Sequence, residues 1–369
     1  MKAYRVLLID LAKTFGGAEV RVLAQARALQ GLVVECAVVT LRDSALHARL
    51  QQENLPHHAV RAGRGNPGIL LELRRIIRQG GYQVVDAHNV QSVLWGLFAA
   101  ALAGAPGRVA TIHSDYGGEY PGLKGRVYEG VLSASRLVAR HYINVTEVLQ
   151  QKAAAQGYGA RSTRIANAVP VPPEPLRQKD TRLYADWGFA PSDFVVGILA
   201  RLKPVKGHSY LIDAFGQLAD LPHAKLLIVG DGPLEAELKA QVAALGLQQR
   251  VVFTGFRQDI PDILRALDCM CLASLSEALP YAVLEAASFA RPLLVTAVGG
   301  LKTLLKHEQT ALLVPAQDAA ALAGAIRWFV AHPHQAVQIG QNAYHMVRQT
   351  FSVETMIASV LQVYDRVVG

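Results

Sequence analysis

One feature constrains this chain more than any other: the same rhythm occurs twice. Short, nearly continuous apolar runs alternate with segments of helical periodicity, first over residues 4–145 and again over residues 194–314. Between the two series lies a proline-rich stretch, residues 167–175, with prolines at 170, 172, 173 and 175. A strand that is apolar on both faces must be covered on both faces, and a parallel sheet flanked by helices does this. The first series predicts strands at 4–9, 33–40, 84–87, 109–113 and 142–145, with helices at 18–29, 70–78, 90–103 and 126–138. The second predicts strands at 194–200, 225–229, 251–254, 269–273, 293–296 and 311–314, with helices between them. The proline stretch reads as a stiff linker. The expected fold is therefore α/β, two tandem Rossmann-like domains with parallel sheets facing a central cleft. Domain one is expected over residues 1–172 and domain two from 173. A chain of 369 residues exceeds the usual size of a single core, which agrees.

Open α/β sheets bind ligands at the carboxyl ends of their strands, so the chemistry is sought there. Ser276-Glu277-Ala278-Leu279-Pro280-Tyr281-Ala282-Val283-Leu284-Glu285 follows one such strand. It places Glu277 in a loop and Glu285 in the first turns of the next helix, whose N-terminal N–H groups form an anion site. Two carboxylates on either side of a phosphate-binding helix end suit a ligand with hydroxyls at both ends and a diphosphate between them. Two Glu at this spacing also occur as ordinary solvated helix charges. Arg201 ends another strand, and Lys206 begins the helix after it. Two cations across one βα loop can clamp a diphosphate and stabilise the charge that develops as it leaves. Gly230-Asp231-Gly232-Pro233 closes a third strand, where Asp can cap a helix and Pro suits its first position. Gly255-Phe256-Arg257 closes a fourth and leaves room for a planar base. In the first half Gly16-Gly17 joins strand to helix without forming a G-x-G-x-x-G or P-loop fingerprint. His113 ends a strand in Thr111-Ile112-His113-Ser114-Asp115.

Several classes are disfavoured. The chain has no Asp-x-Asp and no His/Cys grouping with metal spacing, so no metal cofactor is expected. Cys36, Cys269 and Cys271 read as core thiols of a reducing compartment. No secretory leader and no membrane-spanning run is evident, so a cytoplasmic location is expected. Residues 1–172 carry 20 Lys and Arg against 11 Asp and Glu, whereas the remainder carries 17 against 18. No nucleic-acid motif accompanies this basic half, and no nucleic-acid partner is expected. Arg61, Arg64, Arg74, Arg75 and Arg78 gather around Ile69, Leu70, Leu73, Ile76 and Ile77. That is a basic amphipathic helix suited to an anionic membrane surface, or an ordinary surface helix with a solvated Arg face.

The ordered set Gly16-Gly17-Ala18-Glu19, His113, Arg201…Lys206-Gly207, Gly230-Asp231-Gly232-Pro233, Thr254-Gly255-Phe256, Glu277…Glu285 and Val298-Gly299-Gly300 resembles the family 4 retaining glycosyltransferases of the GT-B fold. The resemblance runs nearly end to end and is strongest over residues 194–315. It implies transfer of a sugar from a nucleoside diphosphate sugar, UDP- or GDP-linked, to a glycan or lipid-linked acceptor in polysaccharide, lipopolysaccharide or glycolipid synthesis. It implies that Arg201 and Lys206 bind the donor diphosphate, Glu285 the ribose hydroxyls and Glu277 the donor sugar. The amides of Leu279, Pro280, Tyr281, Ala282, Val283 and Leu284 would line the sugar and phosphate, though Pro280 has no N–H to donate. Gly17, beside Gly16, would meet the phosphate, His113 the donor sugar, and Gly230, Phe256 and Arg257 the nucleotide end. The final helix, residues 351–369, would cross back to domain one, which leaves 173–350 for domain two. His88, Asn89, Asp115 and Tyr116 are candidates for the acceptor; Asp115 could equally be a helix cap. The chain departs from the family pattern at Ala278 and Ala290, where Gly is usual, and at Thr303, where Glu is common. Donor identity is what these changes bear on. Two rival functions are a nucleotide-sugar epimerase on the same fold and a non-catalytic sugar-nucleotide-binding module.

Overall fold

The computed structural model describes residues 2–63, 65–119, 122–175, 179–277 and 279–369. Arg64 of the basic cluster and Ala278 lie outside the described residues. The chain divides into two compact units, residues 1–168 with 353–369 and residues 169–352.

In the first unit β1 (Lys2–Asp10), α1 (Gly17–Leu29), β2 (Val33–Leu41), α2 (Ala45–Gln52), β3 (His57–Val60), α3 (Gly68–Gly80), β4 (Val84–His88) and α4 (Val90–Ala103) follow in order. Then come β5 (Gly107–Ile112), α5 (Tyr116–Glu119), α6 (Leu123–Ser135), β6 (His141–Asn144), α7 (Glu147–Ala155) and β7 (Ser162–Arg164). All strands are parallel, in the order β3-β2-β1-β4-β5-β6-β7. The order reverses between β1 and β4, where Asp10 pairs with His88. The sequence reading lacks β3, β7, α2, α5 and α7. β3 is His-His-Ala-Val and β7 is Ser-Thr-Arg, edge strands of the sheet without an apolar run.

The second unit runs α8 (Tyr184–Trp187), β8 (Phe194–Leu199), α9 (His208–Gly216), β9 (Ala224–Val229), α10 (Glu235–Ala244), β10 (Val251–Gly255), α11 (Ile260–Ala266) and β11 (Cys269–Leu272). It continues with α12 (Tyr281–Ser288), β12 (Leu293–Thr296), α13 (Leu301–Leu304), β13 (Leu312–Val314), α14 (Ala319–Ala331) and α15 (Pro333–Thr350). Its sheet is parallel in the order β10-β9-β8-β11-β12-β13. The core packs both faces of these strands: Val196, Ile198, Leu226, Ile228, Cys269 and Cys271 are buried on one, and Val195, Leu227, Met270 and Leu272 on the other. The proline stretch belongs to this unit from Val169 on, because Tyr344 Oη lies 2.8 and 2.9 Å from the carbonyls of Pro172 and Pro173.

The last helix, α16 (Val353–Val368), packs on the first unit. Lys2 pairs with Asp365 at 2.6 Å, and Tyr364 donates to Asp86 at 2.7 Å. The basic helix α3 differs from expectation in its use. Ile69, Leu73 and Ile77 are buried with Leu7, Ile9, Val39 and Val85 of the sheet. Its apolar face packs on the core, which leaves Leu71, Arg75, Arg78 and Gln79 exposed and Arg74 half-buried, its Nε bonded to Leu102 O at 3.1 Å. No helix among the described residues is long and apolar enough to cross a membrane.

Candidate functional site

In the second unit the strand order reverses between β8 and β11, and the loops leaving these two strands meet. Lys206 lies in the β8–α9 loop and Glu277 in the β11–α12 loop; Lys206 Nζ donates to Glu277 Oε1 at 2.5 Å. Ser274 Oγ donates to the same oxygen at 2.7 Å. The Glu277 side chain is only 8% exposed. Backbone contacts hold both loops. Leu275 N donates to Val205 O at 2.8 Å, and Gly300 N to Glu277 O at 3.0 Å. Two glycines allow this closeness. At Gly207 (φ 67°) an added Cβ would meet Ala273 O at 2.0 Å, and at Gly299 (φ 48°) Glu277 O at 1.9 Å. Neither position has room for any larger residue, and both backbones are left-handed.

Helix α12 opens at Tyr281 with Pro280 before it, which supplies no capping side chain. Val283 N donates back to Pro280 O at 3.2 Å, and no side chain caps this first turn. Glu285 sits one turn further in, partly buried; burial raises its carboxyl, and no protein side chain or amide among the described residues bonds it. Arg201 is exposed at the end of β8. Gly230 N donates to Gly255 O at 2.9 Å, which ties the β9 and β10 ends together. The Phe256 ring is 62% exposed there, a free face for stacking. Arg257 is bound to Asp259 at 2.8 Å. Asp231 does not cap α10, which starts at Glu235; its carbonyl accepts from Leu202 N at 2.8 Å. A cavity of about 510 Å³ opens at the other end of this sheet, where Phe194, His223, Asp268 and Pro292 lead into their strands, away from these loops.

In the first unit the switch point lies between β1 and β4, with Gly16-Gly17 after one strand, and His88 ending the other with Asn89 next. Gly16 N donates to Glu19 Oε2 at 2.7 Å, so a carboxylate already stands at the start of α1. Asn89 (φ 63°) caps α4 by accepting from Ser92 N at 3.1 Å, and donates to Asp10 Oδ1 at 2.8 Å. Asp10 is buried, and burial together with nearby Glu19 pushes its carboxyl well above the usual range. His88 is fully buried; its Nδ1 is 3.0 Å from Nε2 of His113, which follows β5 directly. Asp115 is ion-paired with Lys152 at 2.5 Å, and Tyr116 meets Tyr128 edge-on at 5.9 Å. All four acceptor candidates, His88, Asn89, Asp115 and Tyr116, thus hold internal contacts.

Comparison with known proteins bears on both units. The family described as "Glycosyl transferases group 1" matches residues 180–346, and "Glycosyltransferase Family 4" matches residues 15–171. This chain is a family 4 glycosyltransferase of the GT-B fold. The glycosyltransferase is 28% identical to a 2-deoxystreptamine glucosyltransferase of Streptomyces kanamyceticus over 95% of its own length and 99% of the relative's. It is 29% identical to the UDP-Gal:alpha-D-GlcNAc-diphosphoundecaprenol alpha-1,3-galactosyltransferase of Escherichia coli over 68% of its length and 66% of the relative's. Among solved structures it is similar to Anabaena HepE in complex with UDP and glucose, with a TM-score of 0.81, 25% identity and coverage of 98% and 99%.

Within this glycosyltransferase the resemblance expects Gly at position 290, and the Ala found there keeps a left-handed backbone at φ 54°. Thr303, where Glu is common, turns its hydroxyl to Gly300 O at 3.0 Å. Sequence reasoning passed over Asp86. It lies mid-strand in Val-Val-Asp-Ala-His, and a carboxylate in an otherwise apolar buried strand was the available signal. Asp86 is fully buried and accepts from Thr111 Oγ1 at 2.7 Å, Tyr364 Oη at 2.7 Å and Gln25 Nε2 at 3.1 Å. Burial alone would raise its carboxyl; His88 and the hydroxyl donors outweigh that and hold it far below the usual range.

Proposed function

We propose that the second unit binds a nucleoside diphosphate sugar, UDP- or GDP-linked, and that the enzyme transfers its glycosyl group to a glycan or lipid-linked acceptor with retention at the anomeric carbon. The observation that carries this reading is the Lys206–Glu277 pair at the β8/β11 switch point, beside an uncapped helix start. In this reading Arg201, Lys206 and the α12 N-terminus take the diphosphate and neutralise the charge that grows as it leaves. Glu285 takes the ribose hydroxyls, Glu277 the sugar, and Phe256 stacks on the base. The relatives support the substrate classes: UDP stands in the name of the HepE complex and UDP-Gal in that of the Escherichia coli enzyme. Cations and amides supply the positive charge, so no resident metal is invoked. Retention follows from attack on the face the diphosphate leaves, with the leaving phosphate taking the acceptor's proton. The first unit, where His113 after β5 meets His88 at the end of β4, offers hydroxyl ligands.

A screen of nucleotide sugars for thermal stabilisation identifies the donor. Transfer from that donor in excess chelator, with the product's anomeric configuration read by NMR, tests the rest. Loss of transfer in chelator overturns the metal-independent part, and an inverted product overturns retention. Formation of an epimer without acceptor points to an epimerase instead.

Association with an anionic membrane surface is also proposed. Helix α6 suits it better than α3, because Leu123 and Val127 are 78% and 53% exposed beside Lys124 and Arg126. Failure to sediment with anionic liposomes at low salt sinks this part.

A further inference from the structure

Glu277 is held by one of its two carboxylate oxygens. Lys206 Nζ and Ser274 Oγ both donate to Oε1, at 2.5 and 2.7 Å. Oε2 has no hydrogen-bond partner among the described residues, yet it keeps contact with solvent where the side chain is 8% exposed. An ionised carboxylate only accepts, so the hydrogens of both contacts belong to Lys206 and Ser274. Which oxygen is bound is immaterial, because the two are chemically equal. The plane of the carboxylate, and the direction of the oxygen left over, are what the two donors set.

Lys206 cannot set them alone. Its ammonium is a point charge on a flexible four-carbon stem, and the last torsion of a Glu side chain is broad and roughly two-fold. A single mobile donor leaves the plane free to turn. Ser274 is different: it is fully buried, and its short side chain stands on an anchored backbone. Thr296, fully buried at the end of β12, donates from Oγ1 to Ser274 O at 2.5 Å. Leu275 N donates to Val205 O at 2.8 Å, and Glu277 O accepts from Gly300 N at 3.0 Å. Residues 274–277 are therefore tied to the end of β12 and to the loops after β8 and β12. A hydroxyl mounted on that frame points in one direction.

We propose that Ser274, with Thr296 behind it, is a positioning residue for sugar transfer: its hydroxyl sets the plane of the Glu277 carboxylate so that one oxygen faces a single hydroxyl of the donor sugar. Lys206 keeps its remaining hydrogens for the diphosphate. Neither Ser274 nor Thr296 touches the substrate, since both are sealed from solvent. The inference rests on the reading that Glu277 meets the donor sugar, and adds what selects among that sugar's hydroxyls.

The test uses the full chain, the donor found by thermal shift, and deoxy analogues of that donor, each lacking one hydroxyl of the sugar. In the wild type one analogue should lose about tenfold in kcat/KM beyond the others, as for one hydrogen bond to a charged acceptor. Ser274→Ala should lose about tenfold with the parent donor and treat that analogue like the parent, while its affinity for the free nucleotide stays at the wild-type value. Thr296→Val keeps the shape of its side chain without the hydroxyl, and should show the same pattern at about threefold. A folded Ser274→Ala that still penalises the analogue about tenfold overturns the proposal. So does a loss of nucleotide affinity as large as the loss of transfer, the mark of a loop loosened as a whole. If Ser274→Ala does not fold, Thr296→Val decides, and undiminished discrimination there overturns the proposal. Glu277→Ala separates the two layers. If it discriminates like wild type, the sugar reading of Glu277 falls and the proposal with it; if it has lost the discrimination and Ser274→Ala has not, only the role of Ser274 falls.

Discussion

Gly299 offers a stringent test of how Glu277 is held. It is left-handed at φ 48°, and an added Cβ would sit 1.9 Å from Glu277 O. In Gly299→Ala the left-handed backbone costs roughly 1–2 kcal/mol. The contact cannot be relieved by a side chain, because the neighbour is backbone. Restoring an ordinary separation of about 3.2 Å requires a displacement of about 1 Å between the two segments. The 2.5 Å Lys206–Glu277 contact and the Gly300 N bond to Glu277 O move with it. A misplacement of about 1 Å at a reacting centre can cost on the order of 100-fold in rate. The expected stability loss is about 2–3 kcal/mol, a fall of roughly 4–12 °C in Tm for a unit of this size. Gly246→Ala is the matched control: it lies in the same unit at φ 68° with nothing within 4 Å of the added Cβ. It should lose about 1 kcal/mol and keep its turnover. The assay is initial-rate transfer from the donor found by thermal shift, alongside calorimetry of both variants. Equal turnover in Gly299→Ala and Gly246→Ala would show that the Glu277 carbonyl anchor does not govern the site.

Other expectations follow from single groups. Glu285→Gln should weaken nucleotide binding by about 10- to 100-fold, the worth of hydrogen bonds to a charged acceptor, as measured by titration calorimetry with the free nucleotide; unchanged affinity removes Glu285 from the ribose. Lys206→Met should leave Glu277 with Ser274 as its remaining partner, and reduce turnover more than free-nucleotide affinity; an equal loss in both would make Lys206 a binding group only. His208 is buried next to Lys206, and burial followed by that charge lowers its imidazole to about 4. Below the usual value of about 6.5 the unfolded chain binds a proton that the folded His208 refuses, so stability falls as pH drops from about 6.5 towards 4, by on the order of 3 kcal/mol at full titration. His208→Gln should flatten that part of the curve in urea titrations at pH 7 and pH 5, and an unaltered slope refutes the assignment.

The sequence alone determined the class of this molecule, because its deciding signals are local. Apolar runs bounded by turns located every strand of the second sheet, and the order of loop motifs marked Lys206, Glu277 and Glu285 as candidates. Locality also set what was missed. The polar edge strands His57–Val60 and Ser162–Arg164 owe their conformation to a paired neighbour and carry no period of their own. Helix α3 shows the same limit: its stripe is legible, but whether core or membrane receives it depends on the sheet beneath. Only the tertiary structure decided pairings. Lys206 and Glu277 meet across 71 positions because β8 and β11 are neighbours in a sheet whose order reverses there. Asp86 gathers Gln25, Thr111 and Tyr364 from α1, β5 and α16, the last 278 positions away. Periodicity reports which face of an element is apolar; which elements lie side by side is set by strand order and by where the last helix packs, and the polar contacts of the site follow from that.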